Sequence, residues 1–179
     1  MNHKNLGFLL DQLSADDAAA LSRLMVKNSE RFERFFPMTL AQNLTEEASK
    51  AFILLKNVEF DYQSEFTFAI REQETKSVIG LVILKNIDRD LWQGELAYCI
   101  DREHEGKGWT SQAIKQTENF AFKKVGLKTL QIIVHHTNKA SIGVAMKCGF
   151  SYVKILKEAH TPPNENALDM MLFELYANL

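Results

Sequence analysis

The stretch Gly94-Glu95-Leu96-Ala97-Tyr98-Cys99-Ile100, followed four residues later by Glu105-Gly106-Lys107-Gly108-Trp109-Thr110-Ser111-Gln112-Ala113, decides how this chain is read. Its first half is an apolar strand ending at Ile100-Asp101. Its second half opens a helix that runs from about Thr110 to Val125, with Ala113, Ile114, Thr117, Phe120, Ala121 and Lys124 on one stripe and Gly126 at the C-terminal cap. Glycine adopts positive φ at little cost, so Gly106 and Gly108 let successive amide N–H groups point into one concavity at the positive end of the helix dipole. That turn suits a diphosphate without a metal or a row of cations, and Lys107 adds a positive charge. The dinucleotide fingerprint G-x-G-x-x-G fails because Ser111 stands at the third glycine position, and the P-loop pattern fails as well.

Outward from this stretch, Phe66, Phe68 and Ile70 alternate with polar or small residues as a strand, and Ser77 to Ile87 reads as a more buried one. Upstream, a short strand lies around Phe8 to Leu10. Ser14 caps a first helix with Asp16 and Asp17 complementing its dipole, and Leu21, Leu24 and Met25 lie at helical spacing with Phe32, Phe35 and Phe36 extending the face. Pro37 ends that helix, since the residue before a proline avoids the helical region. Thr45 caps a second helix, with Glu46 and Glu47 in its first turn. Downstream, Leu130 to His135 is a strand, Asn138 begins a short helix ending at Cys148-Gly149, and Phe150 to Leu156 and Asp169 to Leu175 are strands joined through Pro162-Pro163.

Here the chain resembles the GNAT superfamily of N-acetyltransferases, whose acetyl-CoA motif is [Q/R]-x-x-G-x-[G/A]. Glu103-His104-Glu105-Gly106-Lys107-Gly108 matches both small positions, with Glu103 where Gln or Arg is usual. Asn138-Lys139-Ala140-Ser141 and Met146-Lys147-Cys148-Gly149-Phe150 are similar to the "N-x-x-S" and "K-x-G-F" segments of the branch containing the ribosomal-protein N-terminal alanine and serine acetyltransferases. Asn28 to Phe36-Pro37 resembles the early helical region of that branch more loosely. The resemblance implies one α/β (α+β) domain over residues 1–179, with a mixed, mostly antiparallel sheet of about seven strands flanked by helices.

It also implies a chemistry. A neutral primary amine attacks the thioester of acetyl-CoA, N–H donors stabilise the oxyanion, and the thiolate leaves, with no metal and no covalent acyl-enzyme. The turn Glu105, Gly106, Lys107, Gly108, Trp109 and Thr110 would hold the pyrophosphate. The strand Ala97 to Ile100 would bond the pantetheine arm, with an oxyanion donor at the amide of Cys99 or Ile100. Asn138 and Ser141 read either as helix caps or, by resemblance, as a pantetheine contact and the acid that protonates the thiolate. Ala145 stands where many members carry a tyrosine for that task. Glu95 is the candidate general base or an exposed strand carboxylate. His135 and His136 close a strand near the expected thioester and read as structural, while Tyr98 and Trp109 read as packing residues, Trp109 also as a wall of the cofactor groove. The acceptor is a protein N-terminal amine or a small-molecule amine. A CoA-binding module with little catalysis is the other reading.

The bulk composition bounds this. With 179 residues, 46% hydrophobic, and a formal net charge of −2, the chain suits one globular domain and lacks the basic footprint of a nucleic-acid binder. Its longest apolar run, Val78 to Leu84, is far short of a membrane span, and Met1 to Leu6 is unlike a signal peptide. Cys99 and Cys148 have no metal-type spacing. The expectation is a cytoplasmic protein with reduced thiols, possible as a homodimer.

Overall fold

Leu96 and Tyr98 point to one face of β4 while Ala97 and Cys99 point to the other, and this alternation divides the whole core in two. The computed structural model describes residues 7–177, so Met1 to Leu6 lie outside the described residues. One sheet runs in the order β1-β2-β3-β4-β5-β7-β6, built from β1 (Phe8–Gln12), β2 (Phe66–Glu72), β3 (Val78–Asp88), β4 (Gln93–Ile100), β5 (Thr129–Val134), β6 (Ser151–His160) and β7 (Leu168–Tyr176). Every neighbouring pair is antiparallel except β4 and β5, which run parallel. The mixed, mostly antiparallel, seven-stranded expectation holds.

Helices cover both faces. On one, α5 (Trp109–Phe120) and α6 (Lys139–Lys147) pack Ala113, Ile114 and Ala145 against Val82, Leu84, Leu96, Leu130 and Ile132. On the other, α1 (Ala18–Lys27) and α4 (Glu46–Asp61) pack Leu21, Met25, Phe52 and Ile53 against Ala69, Leu81, Ile83 and Cys99. Gly80 shows how close the strands lie: a Cβ there would sit 2.5 Å from the carbonyl oxygen of Cys99. The Thr45 hydroxyl accepts from the Ala48 amide at 3.1 Å, capping α4 as read.

Three local readings change. The first helix does not continue through the phenylalanines but stops at Asn28, and two short helices follow, α2 (Ser29–Phe32) and α3 (Pro37–Ala41). Pro37 occupies the first turn of α3, so it opens a helix as well as closing the preceding turn, because its missing N–H is unneeded there. The last turn after α5 is a π-turn, Ala121–Val125, and Lys124 leaves the apolar stripe for solvent; Gly126 ends it at φ 82°. Asp17 also does more than complement a dipole. It is buried and its carboxylate receives the Arg71 guanidinium at 2.5 and 2.7 Å, with Asp11 a further partner of Arg71 at 2.7 Å.

Candidate active site

β4 and β5 pair only through Gln93↔Thr129, Gly94↔Leu130 and Glu95↔Gln131, then splay apart towards their C-terminal ends. Each strand is followed, across its open end, by the N-terminus of a helix: β4 by the glycine turn and α5, β5 by Asn138 and α6. A wedge therefore opens in the sheet, with the positive ends of two helix dipoles at its mouth.

The ladder says which groups line that wedge. The Asp101 amide donates to the Ile79 carbonyl at 2.7 Å, and Leu81 lies opposite Cys99. Antiparallel alternation thus assigns the Cys99 and Ala97 amides to β3 and turns those of Tyr98 and Ile100 towards β5, where no strand reaches them. Of the two amides named as oxyanion donors, that of Ile100 faces the wedge and that of Cys99 does not. Burial pushes the Cys99 thiol up to about 12, so it is not a nucleophile.

Gly106 and Gly108 both have φ 75°, the left-handed region that side chains resist. No heavy atom lies within 4 Å of where a Gly106 Cβ would project, so the turn leaves open space on that side. The first helical bond is Gln112 N–H to the Gly108 carbonyl at 3.2 Å, which leaves the amides of Trp109, Thr110 and Ser111 ahead of the intrahelical ladder. These residues fit a diphosphate. Lys107 lies with its ammonium 4.5 Å from the centre of the Trp109 ring. The indole itself packs against Phe8 and His104, so only the backbone of Trp109 serves the turn.

Two features of this region lacked a sequence signal. Lys147, on the last turn of α6, brings its ammonium to within 3.6 Å of where a Gly108 Cβ would stand, so a second cation faces the turn. Lys147→Met is expected to raise the Kd for CoA about 10-fold, the scale of one charge-assisted contact, with no change in melting temperature beyond about 2 °C; titration calorimetry and a thermal melt read the two. The other is the brace behind the turn. Asn28 is buried; its Nδ2 donates to the Leu24 carbonyl at 3.0 Å and to Asp101 at 3.2 Å, and its Oδ1 accepts from the Arg102 amide at 3.1 Å. Burial alone would raise the Asp101 carboxyl, but bonds from Lys27 and Asn28 outweigh it and hold it below the usual range. Glu103, at the position where the family motif has Gln or Arg, pairs outward with Lys27 at 2.8 Å. Glu105 is engaged by Arg31.

On the other side of the wedge, Asn138 accepts from the Ser141 amide at 3.1 Å, so it caps α6 whatever else it does. The Tyr98 hydroxyl donates to the Ser141 carbonyl at 3.0 Å and ties β4 to α6 across the opening. Burial raises the Tyr98 phenol far above its ordinary value, so it stays a neutral donor. Glu95 lies at the closed end of the wedge, held by Lys85 at 3.1 Å and Asn86 at 2.8 Å. Ile100 lies five positions further along, about 17 Å of extended chain.

His135 follows β5 on the face of α1 and α4. Burial, then the neighbouring His136, lowers its pKa, so the ring is neutral near pH 7. Its Nδ1 lies 2.7 Å from the Thr137 hydroxyl and 3.4 Å from the Thr137 amide. Phe35 stacks on this ring at 5.6 Å and touches His160 at 5.9 Å. The His160 Nε2 donates to the Arg34 carbonyl at 2.7 Å, and Arg34 forks onto Glu165 at 2.8 Å. The segment between α2 and α3 is thereby strapped to the end of β6.

The chain belongs to the acetyltransferase (GNAT) domain family, whose model matches residues 8–151. Among its relatives, it is 27% identical over 108 residues to the uncharacterized N-acetyltransferase p20 of Bacillus licheniformis, an alignment covering 60% of each chain. It is 31% identical over 109 residues to the spermidine N(1)-acetyltransferase of Escherichia coli K12, covering 59% of this chain and 58% of that one. The chain thus spans about three-fifths of the length of these two relatives. In fold it is similar to the ribosomal-protein-S5-alanine acetyltransferase of Vibrio fischeri, with a TM-score of 0.88 and 21% identity over 98% of this chain and 95% of that one. The chain thus carries an acetyltransferase domain of this family.

Proposed function

We propose that the chain moves the acetyl group of acetyl-CoA to a primary amine, a protein N-terminal α-amine in the first instance, by direct attack on the thioester. The observation that carries this reading is the wedge between β4 and β5, with a helix N-terminus at the end of each strand. The pyrophosphate rests on the turn Gly106 to Thr110 with Lys107 and Lys147 beside it, and the pantetheine arm completes the unpaired edge of β4. The Ile100 amide donates to the thioester oxygen as negative charge develops there. An ammonium acceptor first gives up one proton to solvent water, because Glu95, held by Lys85 and Asn86 at the closed end of the wedge, lies beyond the reach of one bridging water. The amine nitrogen then bonds the carbonyl carbon, the C–S bond breaks, and the thiolate takes a proton from the Ser141 hydroxyl, which is restored by the second amine proton.

The acceptor approaches from the face of α1 and α4, past Phe35 and His135. Support for an N-terminal amine is the fold shared with a protein-alanine acetyltransferase, and the spermidine relative supports a polyamine instead. The test is acetyl-CoA calorimetry followed by thiol release with Ala- and Ser-initiated peptides and with spermidine. Release with the peptides and not with spermidine is expected. Release with spermidine alone would replace the acceptor, and binding without release to any amine would favour a CoA-binding module.

A further inference from the structure

α4 has two apolar sides. Phe52 and Ile53 face the sheet, while Ala51, Leu54, Leu55, Val58 and Tyr62 face solvent, with Leu54 68% and Tyr62 82% exposed. At about 100° per residue these five fall within an arc of roughly 100° along some three turns. Single apolar residues on a surface are ordinary, but a contiguous stripe of this length marks an interaction face.

The stripe reads the same in both directions. Reversal about the midpoint of Leu54 and Leu55 carries Ala51 onto Val58, Leu54 onto Leu55 and Glu47 onto Tyr62. Two copies of α4 packed antiparallel about a two-fold axis at that midpoint set each of these residues against its reversed counterpart. Small Ala51 then meets Val58, and the Tyr62 hydroxyl meets the Glu47 carboxylate. Charge follows the same symmetry. Lys50 and Asp61 lie on one edge of the stripe, and in this register Lys50 of one copy comes within about 3 Å of Asp61 of the other along the axis, twice over. Asp61 takes part in none of the ion pairs among the described residues, and Lys50 has only an exposed pair with Glu46 at 2.8 Å, a contact easily exchanged. On the other edge, Glu59 is already neutralised by Lys56 at 2.8 Å. On the Lys50 edge Glu47 of one copy also comes within about 1.5 Å of Asp61 of the other along the axis, so Lys50 faces two carboxylates there.

We propose that this face binds a second copy of the chain, α4 against α4, antiparallel about Leu54 and Leu55. The pairing is independent of the acceptor. One helix from each copy makes a face smaller than the roughly 1,200–2,000 Å² of a standard interface, so a weak, concentration-dependent dimer is expected.

Sedimentation of the full chain between about 1 and 100 µM tests it. A concentration-dependent monomer–dimer equilibrium is expected, with Leu54→Asp monomeric throughout and its melting temperature unchanged. Lys50→Glu should weaken the dimer about 3-fold to 10-fold, and adding Asp61→Lys should restore it. A wild type that stays monomeric, or a dimer indifferent to Leu54→Asp, would overturn the proposal. A dimer broken by Leu54→Asp but not restored by the double reversal would overturn the antiparallel register.

Discussion

Gly108→Trp is expected to weaken acetyl-CoA binding by at least about 100-fold, or roughly 2.7 kcal/mol, in a chain that still folds. The two halves of that expectation come from different observations. A Cβ at Gly108 meets only the flexible ends of Lys147 and Gln112, at 3.6 and 3.9 Å, so there is no clash with backbone. What a side chain does meet is the cost of φ 75°, about 1–2 kcal/mol, which for a domain of this size lowers the melting temperature by about 2–8 °C. The indole then covers the amides of Trp109 to Ser111 and displaces Lys147, removing the dipole end and a cation together. Calorimetry with CoA and a melting curve measure the two halves separately. Unaltered affinity would take the turn out of the site.

Asp17→Leu should cost the fold about 3–5 kcal/mol, because it leaves the buried Arg71 guanidinium with the more exposed Asp11 and two long bonds to the Gln12 and Lys76 carbonyls. The corresponding drop in melting temperature is about 6–20 °C. Adding Arg71→Met removes the stranded charge and should recover much of the loss, which a simple cavity would not. The pH dependence follows. Burial raises the Asp17 carboxyl, but bonds from Arg71 and Ser14 prevail and leave it below its ordinary value of 3.8. A carboxyl depressed in the folded state contributes stability that is complete above the unfolded pKa and lost as pH falls through the folded one. Wild-type melting temperature should therefore fall steeply below about pH 3.8, and the double variant should lose part of that slope. An equal slope in both would assign acid sensitivity to other groups.

Much of this was legible along the chain. The strand, glycine turn and helix from Gly94 to Val125 follow hard conformational rules that act within a few residues, and so do the caps at Ser14, Thr45 and Asn138. What local rules do not encode is which distant group a side chain meets. Asn28 ends α1 because Asp101 and the Arg102 amide lie across from it, some seventy residues on, and its own neighbours give no sign of this. Lys147 reads as one more charge in a last turn until α6 is packed beside the glycine turn. Phe35 continues a helical period on paper, yet it stacks on His135 at 5.6 Å, a hundred residues away. Glu103 departs from the family motif in a way the fold accounts for, since Lys27 takes the carboxylate outward. The wedge itself is invisible to periodicity, which identifies strands but not the length over which two of them pair.

That short pairing has a mechanical consequence. β1 to β4 form one plate and β5 to β7 another; three residue pairs join them at one end, and nearer the other end the Tyr98 hydroxyl and the contact of Phe35 with His135 span the opening. An arm of extended chain laid along the β4 edge would supply the rungs that the sheet lacks there. Loading the cleft should then stiffen the molecule as a whole, slowing amide exchange at Tyr98 and Ile100 and along β5 far beyond the atoms touched. On the proposed chemistry, discharging the acetyl group would leave that arm in place, and the added rungs would persist until CoA departs.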